Sequence, residues 1–165
     1  MMTFDLFIQT SYSFNGSLLD VDKLITRAKA NGFTSLGITD TKNMYATIKF
    51  YELCRQQGIQ PVIGTLIDAI TPRGTVSPFL LYAKNNQGYH NLIQIISYLN
   101  TVSASIPWDI LITHKAGIIA VSLSDRGDIR QAILADDLSL AADLYRSYKK
   151  DFESYFLGID LTDFT

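Results

Sequence analysis

Apolar residues along this chain recur with two different spacings, and the spacings alternate. Phe4 to Thr10 reads as a short strand, followed by a polar loop from Ser11 to Ser17 that holds Gly16. Asp20 stands where a helix N-cap belongs, and Val21, Leu24, Ile25 and Ala28 then repeat at helical spacing up to Gly32. Phe33 to Asp40 reads as a buried strand, because Leu36, Gly37 and Ile38 are consecutive and apolar. Asn43 to Gln57 predicts a second helix, with Ile48, Tyr51 and Cys54 on one face and Gly58 as its cap.

Ile59 to Asp68 predicts a third strand, with Pro61 near its start, a position proline tolerates. Thr71 to Thr75 is a turn and Phe79 to Ala83 a returning strand, so Leu66 to Ala83 reads as a hairpin. Gly88 to Asn100 is a helix with Leu92, Ile95, Ile96 and Leu99 inward. A loop and short turn surround Pro107 and Trp108. A strand at Gly117 to Ser122, helices at Ile129 to Leu134 and Leu138 to Phe152, and a strand at Tyr155 to Leu161 complete the order.

Strands alternating with helices predict an α/β fold of parallel strands covered by helices, either a barrel or an open doubly wound sheet. In such folds chemistry gathers at the C-terminal ends of the strands. Here those ends hold Asp40 and weaker polar groups: Gln9, Thr10, Thr41, Asn43, Ser122, Ser124 and Asp125.

Composition narrows the picture. Of 165 residues, 47% are hydrophobic and 18% charged, and the net charge is −2. That is a globular composition with no basic footprint for phosphate backbones. Cys54 is the single cysteine and predicts a buried core position, so no disulfide framework forms within one chain. No run is apolar enough to span a membrane, and MMTFDLFIQT lacks the basic start of a signal peptide, which makes the cytoplasm the expected location.

A hydrolytic metal site needs several converging His, Asp or Glu ligands. His90 and His114 are the only histidines, and neither belongs to a spaced ligand pair. No phosphate-binding glycine loop and no G-x-S-x-G elbow is present. Asp40 reads either as a metal ligand or acid, or as a cap accepting N–H groups of the turn that follows. Nine tyrosines and nine phenylalanines read as core more than as a base-stacking platform.

Several blocks together resemble one family. Leu6-Phe7-Ile8-Gln9-Thr10-Ser11-Tyr12-Ser13 resembles the opening motif L-H-x-H-T-x-Y-S of the polymerase-and-histidinol-phosphatase (PHP) domains. Leu36 to Thr41 resembles A-I-T-D-H, and Asn43-Met44-Tyr45 with Lys49-Phe50-Tyr51 resembles the helix that follows. Gly58 to Leu66 resembles G-I-K-P-I-x-G-x-E. Leu81 to Asn85 with Gly88 to Leu92 resembles L-L-A-K-N-x-x-G-Y-x-N-L, a block of the bacterial DNA polymerase III alpha-subunit branch.

The resemblance implies a distorted β/α barrel of the PHP type, with residues 1–165 as its earlier part within a much longer polymerase chain. It also implies that the ligand positions are replaced. Phe7 and Gln9 stand for two histidines, Thr41 for a third, Leu66 and Gly158 for two glutamates, and Asp40 alone is retained. The expectation is a domain with no catalytic residue and no metal, its former cavity filled by apolar side chains including Phe7 and Leu66. On that expectation Phe7→His destabilises the domain by roughly 1–3 kcal/mol. The implied role is a structural and interaction module, with Mg²⁺ needed only in the polymerase active site of the parent chain. Implied partners are the remaining domains of the subunit, and through them DNA, a sliding clamp or a proofreading exonuclease. The alternative is an active metal-dependent phosphoesterase or 3′–5′ exonuclease.

Overall fold

A computed structural model of the chain describes residues 4–13, 17–123 and 126–159. The chain divides into two compact units, with the division between Leu66 and Ile67.

The first unit alternates strand and helix as its spacing predicts. β1 (Phe4–Asp5) runs parallel to β2 (Ser35–Thr41), which runs parallel to the first part of β3 (Gln60–Ile70), in register from Ser35 opposite Gln60 to Thr41 opposite Leu66. Asp20 caps α1 (Val21–Ala30), accepting the N–H groups of Asp22 and Lys23 at 3.0 and 3.3 Å. The buried residues of α1 are Val21, Leu24, Ile25 and Ala28, the four that share its apolar stripe. They pack into one core with Leu36, Ile38, Phe50, Cys54 and Ile59.

Two expectations in this unit are corrected. The strand read over Phe4 to Thr10 keeps its ladder only at Phe4–Asp5. Beyond it, Thr39 still donates to the Ile8 carbonyl at 2.8 Å, but Gln9 and Thr10 spend their side chains on Thr41 and Asp40. The Leu6 backbone lies so close to Gly37 that a Cβ there would stand 2.8 Å from the Leu6 oxygen. The second helix, α2, begins at Thr47 (Thr47–Gln57), and its buried face is Thr47, Phe50 and Cys54. Ile48 and Tyr51, read from spacing as inward with Cys54, are exposed. The helix carries apolar residues on both sides, and periodicity alone does not choose between them.

The second unit begins with the end of β3, followed by the turn at Thr71–Thr75 and β4 (Val76–Ala83). Strands β3 and β4 are neighbours, as the hairpin reading expected. Helix α3 (Asn86–Thr101) buries Leu92, Ile95, Ile96 and Leu99. The loop read around Pro107 and Trp108 is a short strand, β5 (Ile106–Pro107), and a helix, α4 (Trp108–Thr113). β5 pairs with the end of β3. β6 (Ile118–Ser122), α5 (Asp128–Leu134), α6 (Leu138–Asp151) and β7 (Ser154–Leu157) follow. The last strand is thus shorter than the run read to Leu161, which lies outside the described residues.

The parallel reading, made beside an expected hairpin, holds for β1, β2 and β3 and for β6 with β7. β6 is parallel to β7 but antiparallel to β4, with Phe79 opposite Ser122 and Ala83 opposite Ile118. The fold is therefore mixed α/β. Its core gathers Phe79, Trp108, Tyr148 and Phe152, with Trp108 and Tyr148 ring centroids 4.7 Å apart. The Trp108 indole N–H donates to Asp151 at 2.7 Å, which pairs the polar edge of an otherwise buried ring.

Candidate functional site

The site lies in the first unit, where β2 ends. Asp40 is 2% exposed, because β2 is flanked by a strand on each side and covered by the core of α1 and α2. A carboxylate so buried needs hydrogen-bond donors. Three reach it. The Thr10 N–H and the Ser13 hydroxyl donate to Oδ1, each at 2.6 Å, and the Thr10 hydroxyl donates to Oδ2 at 2.7 Å. These charge-assisted bonds occupy most of the carboxylate's acceptor directions.

The same groups tie the surrounding backbone. The Ser13 oxygen accepts the Thr41 N–H at 3.1 Å, and the Ser13 N–H bonds the Thr10 carbonyl at 2.9 Å. Thr65 of β3 donates its hydroxyl to the Asp40 carbonyl at 2.8 Å. Lys42 takes φ 53°, and its N–H reaches the Leu66 carbonyl at 2.9 Å. Asn43 donates to the carbonyls of Tyr12 and Thr41, both at 3.0 Å, and accepts the Tyr45 N–H at 3.2 Å. The result is a buried polar knot holding the segment before α1 against the end of β2.

The capping reading of Asp40 is right in kind and wrong in direction. Its donors come from the segment before α1, about thirty residues earlier in the chain, and not from the turn that follows. Ser13 is not among the site residues that the sequence singles out. Its only signal was its place in the opening motif, three positions after Thr10.

The other singled-out positions scatter. Gln9 and Thr41 do meet, through a side-chain hydrogen bond of 2.8 Å. Leu66 is buried at 4% exposure, but Phe7 is 44% exposed. The expected filling of the site by Phe7 is therefore corrected: what meets the Asp40 carboxylate is two hydroxyls and one backbone N–H. Gly158 belongs to the second unit, where its N–H bonds the Ser122 carbonyl at 2.8 Å. His90 is exposed on α3, and His114 ends α4. Ser124 and Asp125 lie outside the described residues. Among the described residues no group of three or more His, Cys, Asp or Glu side chains could hold a metal ion.

The second unit has polar pairs of its own that spacing did not signal. Tyr148 donates its hydroxyl to Asp128, and Ser122 shares a hydrogen bond of 2.5 Å with the Tyr155 hydroxyl. Burial pushes both phenols well above their ordinary range, and the Asp128 carboxylate adds to the rise at Tyr148. In the first unit, burial pushes the Cys54 thiol up to about 12. At the surface, Asp22 and Lys49 form an ion pair that lowers the acid and raises the base.

Among the described residues Asp40 is the one buried carboxylate, and it stands at the end of a strand in a mixed α/β fold. The family model of the PHP domain matches residues 5–163, and the chain belongs to that family. Its fold resembles that of an amidohydrolase from Chromobacterium violaceum, with a TM-score of 0.52 at 12% identity over 93% of this chain and 75% of that one. In sequence it is 35% identical to DNA polymerase III subunit alpha of Bacillus subtilis over 74% of its length. It is 28% identical to the same subunit of Halalkalibacterium halodurans over 99% of its length. The chain spans 11% and 15% of those two relatives. No helix among the described residues is long and apolar enough to cross a membrane.

Proposed function

We propose that this chain is a non-catalytic PHP module of a bacterial replicative DNA polymerase III alpha subunit, working in the cytoplasm as a structural and interaction domain. The observation that carries the reading is the state of Asp40. Its carboxylate is buried and committed to Thr10 and Ser13, at 2.6 to 2.7 Å. A metal ion would have to displace those donors and would then find hydroxyls, Gln9 and Leu66 in place of further anionic or imidazole ligands. One carboxylate does not hold a multinuclear centre or activate a bound water. DNA-templated synthesis belongs on this reading to the rest of the subunit, which uses Mg²⁺ at its own acidic residues. The partners are those remaining domains, and through them DNA, the sliding clamp or a proofreading exonuclease.

Elemental analysis of the purified protein, paired with a nuclease assay on a labelled single strand in Mn²⁺ or Zn²⁺, tests the reading. The expected result is no stoichiometric metal and no cleavage. Bound metal with cleavage that disappears in Asp40→Ala would replace it with an active phosphoesterase or 3′–5′ exonuclease.

A further inference from the structure

Helix α2 carries an apolar stripe that faces away from its own core. Ile48 is 68% exposed and Tyr51, one turn later, 50% exposed. Tyr45, three positions before Ile48, is 66% exposed and is held by the bond from its N–H to Asn43. Thr47, Phe50 and Cys54 on the other side are buried. The Lys49–Asp22 pair and the exposed Glu52 and Arg55 border the stripe, so an apolar centre has a charged rim. That is the anatomy of a protein interface.

We infer that the face formed by Ile48 and Tyr51 of α2, with Tyr45 just before the helix, is a docking surface for the polymerase body of the alpha subunit, an inference that rests on the function proposed above. Two observations choose this occupant over a second copy of the chain. Full coverage of the three side chains removes only roughly 350 Å² from water, well short of the ~800 Å² per partner of a stable independent interface. So small a patch holds only where other contacts or a covalent link keep the partner at high local concentration. The relatives supply room for such a partner, since both are named DNA polymerase III subunit alpha and this chain corresponds to only 11% and 15% of their lengths. Tyrosines suit the role, because each brings apolar area together with a hydroxyl that can bond across the contact.

Hydroxyl-radical footprinting of the full-length subunit, read by mass spectrometry at each side chain, tests this. Rates at Ile48 and Tyr51 are normalised to the same peptides after tryptic digestion, and primer extension by the same preparation is measured alongside. The expected result is an extending enzyme in which both residues are protected at least about five-fold, beyond the roughly two-fold that their 68% and 50% exposure implies. An extending enzyme in which they react at the two-fold level overturns the docking surface and leaves the proposed function standing. A full-length chain that does not extend primers overturns both.

Discussion

Thr10 reaches Asp40 twice, with its backbone N–H on one carboxylate oxygen at 2.6 Å and its hydroxyl on the other at 2.7 Å. This two-point grip, with Ser13 as a third donor, makes the acid a fastener for the chain. Asp40→Ala strands three donors in a buried pocket and is expected to cost about 3–5 kcal/mol. Asp40→Asn keeps one acceptor and should cost less, about 2 kcal/mol. Urea unfolding of the two variants measures both, and a loss below about 1 kcal/mol for the alanine would contradict the fastener role.

Phe7 and Leu66, two positions where the resemblance implies replaced ligands, stand in opposite environments, at 44% and 4% exposure. Phe7→His should change stability by no more than about 0.5 kcal/mol, smaller than the loss expected from sequence alone. Leu66→Ala should cost about 2–4 kcal/mol, because it leaves a hole in a closed core. Thermal unfolding of the pair side by side separates them.

Cys54 predicts a pH dependence. Burial raises its thiol from the ordinary 9.0 to about 12, so the native state holds the proton longer than the unfolded chain does. That contribution is fully present below pH 9.0 and is lost as pH rises from there toward about 12. Unfolding free energy should therefore fall on the alkaline side, and Cys54→Ala should flatten part of the fall. The raised phenols of Tyr148 and Tyr155 act in the same direction and keep the remainder. At pH 8 the native thiol should react with a disulfide reagent far more slowly than the unfolded one. Equal rates would place Cys54 at the surface.

Gly88 tests the packing of the second unit. A Cβ at this position would stand 1.9 Å from the Gly117 oxygen, and both groups are backbone. Gly88→Ala must push α3 away from that strand start, an overpacking expected to cost about 3 kcal/mol. A melting temperature within a degree of the parent would show that α3 sits elsewhere.

Local patterns were legible where one residue's chemistry decides the outcome. The N-cap at Asp20, the inward stripes of α1 and α3, the burial of Cys54 and the turn at Thr71–Thr75 need only neighbouring residues and their spacing. So does the family, because its motifs are ordered runs of residue types. The choice of face on α2 was not legible: Ile48 and Tyr51 offer one apolar side, Thr47, Phe50 and Cys54 another, and only the position of α1 and β2 decides which is covered.

Residue types alone established that the chain carries two histidines and one cysteine, a count that holds in any conformation. What Asp40 does with its charge was left to tertiary structure, because its donors at Thr10 and Ser13 lie about thirty residues away and meet it only when the segment before α1 folds back on β2. The direction of β6 was decided in the same way. Parallel and antiparallel strands share one side-chain alternation, and only the path of the chain through α3 and α4 sets β6 antiparallel to β4.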